Sequence, residues 1–299
     1  MPKKLKGKEY GLEFGAIVLH YLFKSKALHY GYWEEGDEVA LWNFGRAQEN
    51  YTRFLLSRVP VDAKDVLDVG CGTGLIASRL IARGHRVECL SPSPFLNGEA
   101  RKILPDGAPI HETTFEEFNT SKTYDLVMFA ESFQYVQMDE SLRKAVGLLR
   151  PGGRILICDA FRLDTPGKSP IGGGQNYAQY LKRVETLNLA CVEDVDITAR
   201  IAPTFDLVQD VSLNLFKPLW ENLVRLAASN HPYIYKMAMW KFKKRLQKMQ
   251  KHFDPRRNGQ GFIEYKTYRI QILKPQPVAE TVLPQSSPSS PVSASLADR

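Results

Sequence analysis

The sequence predicts an α/β chain built on a seven-stranded, mostly parallel sheet with helices on both faces. Three stretches carry that expectation. Asp65 to Val69 is a short β-branched run that breaks at Gly70-Cys71-Gly72-Thr73-Gly74 and passes directly into the helically spaced Leu75 to Arg83. Tyr124 to Ala130 is a second apolar run, and it delivers Glu131-Ser132-Phe133-Gln134-Tyr135. Residues 148–159 read LLRPGGRILICD, a helix end, a Pro-Gly turn and a further buried strand. Short apolar runs alternating with helical stretches are the pattern of parallel strands covered on both faces.

The remaining elements follow in chain order. Residues 1 to 8 form a basic lead, and Leu12, Phe14, Ile17, Val18, Tyr21 and Leu22 recur at helical spacing within Tyr10 to Ala27. Leu28-His29-Tyr30-Gly31-Tyr32-Trp33 crowds aromatics around one glycine ahead of a first core helix over Leu41 to Arg58. Arg86 to Leu90 reads as the second strand. A helix opens at Pro94 with Ser93 as its N-cap and runs to Leu104. Pro109 to Glu112 is the third strand, Asp139 to Leu149 a helix, Arg154 to Asp159 the fifth strand and Ala190 to Ile197 the sixth.

Thr204 to Ser229 has a helical period broken by Pro218 and reads as a cap inserted before the last strand, expected antiparallel over Gly261 to Ile270. The expected organisation is an N-terminal helix and aromatic lid over 1–40, a core over 41–200, a helical cap over 201–260, the last strand over 261–274 and a disordered Pro- and Ser-rich tail over 275–299.

A chain of 299 residues, 43% hydrophobic and 24% charged, can bury one large core. The four cysteines are scattered, so neither a disulfide framework nor a metal site is expected, and the reading is cytoplasmic. Gly15 to Phe23 is interrupted by His20 and has no small-residue cleavage site, and no stretch reaches the ~20 apolar residues of a membrane span. The net charge of +7 is concentrated in Lys236 to Arg257, where nine Lys and Arg face Asp254 alone. Within it Tyr235 to Phe253 reads as an amphipathic helix with a basic face, a candidate contact for an anionic membrane surface.

The glycine turn carries the chemistry. Its glycines let a backbone pass beneath a ligand, the following helix offers free N–H groups, and Asp68 adds a carboxylate to the same crevice. That acid would repel a pyrophosphate, and the spacing is G-x-G-x-G where a dinucleotide fingerprint has G-x-G-x-x-G. A ligand bearing an amine and a sulfonium suits the crevice better.

Val66 to Gly74, VLDVGCGTG, closely resembles the first motif of the class I S-adenosylmethionine-dependent methyltransferases, and similarity at the level of motifs extends from Leu28 to Asp159. The resemblance implies a Rossmann-like core and S-adenosyl-L-methionine as cofactor. It implies cofactor contacts from Tyr30 (or Tyr32), Asp68, Gly70, Cys71, Gly72, Gly74, Ser91, Thr114, Phe115 and Glu131. Ser91 departs from the family pattern, which has a ribose-binding acid there; Glu88 or Glu112 would compensate. The aromatic lid is similar to that of methyltransferases acting on lipids, quinones, tocopherols and sterols, and by that likeness His29 and Trp33 face the substrate.

Methyl transfer from a sulfonium is an in-line displacement that needs orientation in a dry pocket and no protein nucleophile. His29, Tyr135 and His231 are the candidate catalytic groups, and Trp33, Gln134 and Phe205 the candidate substrate contacts. The expected function is methylation of a hydrophobic small molecule of lipid, isoprenoid, quinone or polyketide-like type. The alternatives are an RNA or protein methyltransferase, for which no recognition module is seen, and a non-catalytic scaffold of the same fold.

Overall fold

The computed structural model describes residues 21, 26–233, 235–237, 239–241 and 253–276. Residues 1–20 and 22–25 of the expected N-terminal region, 234, 238 and 242–252 of the cap and basic helix and 277–299 of the tail lie outside the described residues. Residues 26 and 27, expected to end the first helix, are not helical, and Pro275, expected in the tail, closes the last strand.

Among the described residues eight strands form one sheet: β1 (Asp65–Val69), β2 (Arg86–Leu90), β3 (Ile110–His111), β4 (Tyr124–Ala130), β5 (Leu149–Arg162), β6 (Gln175–Asn176), β7 (Leu189–Asp196) and β8 (Lys266–Pro275). Their order is β3-β2-β1-β4-β5-β8-β7, with the two-residue β6 pairing the end of β5. β1 to β5 are parallel, and β8 lies antiparallel between β5 and β7. The strand order reverses at β1, so β1 and β4 open a crevice at their carboxyl ends, where ligands of doubly wound folds gather.

Alternation along β1 divides the core. Val66 packs with Tyr51, Leu55 and Leu80 on one face, while Leu67 packs with Leu142, Ala145 and Tyr180 on the other. Each such fully buried side chain contributes about 1.5–3 kcal/mol. The first layer comes from α1 (Phe44–Arg58), α2 (Leu75–Ala82) and α3 (Pro94–Arg101); the second from α4 (Met138–Gly147) and α5 (Tyr177–Thr186). Ser93 caps α3 by accepting the Leu96 N–H, with Pro94 at the first turn, although the helix ends at Arg101, short of Leu104. Between β7 and β8 the chain makes the helical insertion α6 (Thr198–Ile201), α7 (Pro203–Val211) and α8 (Lys217–Asn230), joined by a π-turn.

Two expectations need correction. β5 begins at Leu149, five residues earlier than expected, because the Pro-Gly turn is absorbed as an irregularity in the pairing with β4. Gly261 to Tyr265 is not strand: Gly259–Tyr265 is a helix, α9, and the last strand starts at Lys266. Asn258 caps α9 by accepting the Gly261 N–H at 2.8 Å, and Asp206 of α7 holds the Gly259 N–H at 2.9 Å. The cap and a distant carboxylate override the local alternation. No helix among the described residues is long and apolar enough to cross a membrane.

Candidate active site

Gly70, Gly72 and Gly74 all take positive φ, at 79°, 58° and 77°. A β-carbon on Gly70 would sit 2.4 Å from Ser132 Cβ, and one on Gly74 would sit 3.0 Å from Ala100 Cβ, so the protein's own packing demands those two. Above Gly72 the space is open save for Leu28 Cδ1 at 3.9 Å, and that opening is where a ligand backbone fits. Cys71 turns its thiol into the core beneath the turn.

Asp68, one residue before the end of β1, is 1% exposed, and its Oδ2 has no hydrogen-bond partner. Burial raises its carboxyl to about pKa 7. A desolvated carboxylate without a donor is costly, and a cationic donor such as a ligand ammonium would offset that cost.

At the tip of β2, Ser91 Oγ accepts the Ser93 N–H at 3.3 Å. Asn97 Nδ2 donates to the Ser91 carbonyl and to Glu112 Oε2, both at 3.1 Å. Glu88 is committed elsewhere, to His111, Lys122 and Tyr124. Of the two compensating carboxylates considered, Glu112 is therefore the one beside Ser91. Thr114 accepts the Glu117 N–H at its hydroxyl and the Phe118 N–H at its carbonyl, and Phe115 packs edge-on to Phe129.

Two acids lie where β4 and β5 reach the crevice, the half-buried Glu131 just after β4 and the buried Asp159 near the end of β5. Glu131 has φ 55°, an unusual conformation for a side chain of its size, held by its N–H donating to the Cys158 carbonyl at 2.8 Å. Its Oε1 accepts the Tyr30 N–H at 3.0 Å and the Tyr268 hydroxyl at 2.8 Å. Tyr268 is in turn 2.8 Å from the Tyr51 hydroxyl, which lies 3.1 Å from Cys158 Sγ. Burial pushes Glu131 up to about 8, against the opposing effect of the Tyr268 bond. Asp159 accepts from the Gln134 backbone N–H at 2.9 Å and side chain at 3.1 Å, and burial raises it to about 7.

Residues 26–33 strap across this crevice. Thr73 donates to the Lys26 carbonyl, Leu28 covers Gly72, and Tyr30 is tied to Glu131. The Tyr30 ring lies 5.0 Å from Phe205, which stacks at 4.2 Å on Phe262. Strap, cap and crevice thus share one apolar wall, in which Phe205 is buried.

Several sequence candidates sit differently from expectation. His29 stacks on Tyr51 at 4.2 Å, with Nδ1 donating to the Tyr30 carbonyl at 2.9 Å and the Nε2 lone pair facing the Thr52 hydroxyl at 3.1 Å. Burial lowers its pKa to about 4, so it is a packed neutral ring and a poor base. Trp33 does not face the crevice: it is 3% exposed, donates to Thr204 at 3.0 Å and packs with Phe44, Ala47 and Leu207. Tyr32 stacks on Phe54, which leaves Tyr30 as the strap tyrosine at the crevice. His231 is exposed beyond the end of α8. Tyr135 remains at the mouth, 60% exposed; the partial burial of its ring, then the charges of Asp159 and Glu131, raise its phenol. Sequence reasoning missed Asp159, which is held by Gln134 from 25 residues away, and Tyr51 and Tyr268, whose roles depend on contacts across more than a hundred residues.

Residues 66–153 match the family model described as a methyltransferase domain. An uncharacterized methyltransferase of Bacillus cytotoxicus is 27% identical over 146 residues, 48% of this chain and 68% of that one. Other curated relatives are matched over as little as 40% of their length. Among solved structures, the [4+2]-cyclase SpnF superposes with a TM-score of 0.62 at 18% identity, covering 90% of this chain and 94% of that one. Geranyl diphosphate C-methyltransferase from Streptomyces coelicolor gives 0.59 at 16% identity, covering 91% and 99%. The fold is shared with these solved structures, of which the geranyl diphosphate enzyme was solved with S-adenosyl-L-homocysteine, and residues 66–153 carry the match to a methyltransferase domain.

Proposed function

We propose that the protein methylates a hydrophobic small molecule, using S-adenosylmethionine. The observation that carries this reading is the buried, partnerless Asp68 oxygen beside the open space over Gly72. When bound, the cofactor supplies an electrophilic methyl on a sulfonium. Asp68 would hold its ammonium, Tyr30 its carboxylate and Glu112 with Ser91 its ribose, while the strap over residues 26–33 excludes water. The apolar wall of Tyr30, Phe205 and Phe262 favours an apolar acceptor body.

Where the acceptor must lose a proton, Glu131 is the candidate base in place of His29. Its raised pKa lies near neutrality, where a base works well, and Tyr268 and Tyr51 behind it offer a hydroxyl path away from the crevice. The exposed apolar side chains Tyr233, Met237 and Trp240, next to the strongly basic run to Arg257, support a second element of the proposal, contact with an anionic membrane surface.

Calorimetry with S-adenosylhomocysteine, followed by transfer of a radiolabelled methyl to organic extract, RNA and protein fractions, tests the reading. Label in the organic phase is expected. Absence of cofactor binding would leave the scaffold reading, and label in RNA or protein would replace the acceptor class.

A further inference from the structure

Antiparallel pairing of β5 and β8 brings Arg162 directly opposite Lys266 at the site end of the ladder. Like charges facing each other across a sheet repel. Among the described residues neither they nor Lys168 makes an ion pair. Lys266 is only 2% exposed, and its ammonium donates to the Gly173 carbonyl, leaving two N–H groups with no carboxylate in hydrogen-bond contact. Burial, then the charge of Arg162, lowers it to about pKa 8, which Asp159 offsets in part.

These three cations line one cavity of about 540 Å³. The acid on its wall, Asp164, is engaged by Asn176 Nδ2 at 2.5 Å. The cavity backs onto the crevice through Gly173: a β-carbon there would lie 2.6 Å from Gln134 Oε1, and Gln134 is bonded to Asp159. A cavity of that volume takes a small ligand or one end of a larger one.

We propose that this cavity binds the anionic group, a carboxylate or a phosphate ester, of the methyl acceptor, whose apolar body lies in the crevice. The assignment to the acceptor rests on the methyltransferase reading; the anion site itself does not. Binding would satisfy the free donors of Lys266 and Arg162 and relieve their repulsion.

The test is isothermal titration of the full chain with inorganic pyrophosphate and with malonate, at constant ionic strength, with and without S-adenosylhomocysteine. Saturable binding of either anion is expected, unaffected by S-adenosylhomocysteine. Arg162→Gln, an exposed position, should weaken it about ten-fold or more, the size of one charge-assisted contact, with S-adenosylhomocysteine affinity unchanged. Lys266→Met should do the same where it folds. The preferred anion tells phosphate from carboxylate. No saturable binding, affinity in Arg162→Gln within about two-fold of wild type, or competition by S-adenosylhomocysteine would overturn the proposal. Anion binding without S-adenosylhomocysteine binding would overturn the cofactor reading and leave the anion site standing.

Discussion

Two carboxylates at strand ends have complementary defects: Asp68 lacks a donor, and Glu131 is held in a left-handed backbone conformation costing about 1–3 kcal/mol. Removing the charge at Asp68 should therefore separate binding from stability. Asp68→Asn is expected to weaken S-adenosylhomocysteine binding at least about ten-fold, as loss of a charged pair does, while apo stability holds or rises because a lone buried charge is gone. Titration calorimetry and urea unfolding measure the two effects, and unchanged affinity would contradict the placement of the ammonium. Glu131→Gln keeps the acceptor for Tyr268 and removes the base. Turnover should fall about 10²–10⁴-fold with cofactor affinity unchanged. An acceptor needing no deprotonation would leave the rate unaltered.

At the scale of elements, the glycine turn does two separate jobs. Gly70→Ala would drive a methyl into Ser132, and the overpacking should cost about 1–3 kcal/mol beyond the backbone strain. Gly72→Ala meets open space and should cost only the left-handed strain of about 1–2 kcal/mol, yet it should impair cofactor binding more. Denaturant unfolding and calorimetry on the pair would show the opposite ranking if Gly72 were the structural glycine. The basic run is tested separately: charge reversal at Lys243, Lys244 and Lys248 should reduce sedimentation with anionic liposomes, and unchanged sedimentation would remove the membrane contact.

Across the whole molecule the buried acids set a pH response. Asp68, Asp159 and Glu131 are raised to about 7, 7 and 8, above unfolded values near 4, so the folded state binds protons more tightly. Their stability contribution is complete below about pH 4 and is lost as pH rises through their folded values. His29, lowered to about 4, opposes this only up to its unfolded value near 6.5. The apo protein should lose melting temperature between about pH 5 and 8, and saturating S-adenosylhomocysteine should flatten the slope by ionising Asp68. Calorimetry at pH 6 in buffers of different ionisation heat should correspondingly show proton release on binding.

What the sequence determined by itself is local: the glycine turn after a buried strand, the Ser93 cap, the strand and helix periods, and Ser91 where an acid is expected. Each depends on neighbours within a few residues, and short-range sterics and hydrogen bonding make such signals readable. The tertiary structure alone decided that Trp33 is sealed behind Thr204, that Gly259–Tyr265 is helix and that Glu131 meets Tyr268. It alone set Arg162 opposite Lys266. The contacts of Tyr268 and Lys266 follow from the register of β8 against β5 after a long helical insertion. Such a register is fixed by burial summed over the whole sheet and leaves no pattern in the residues that it brings together.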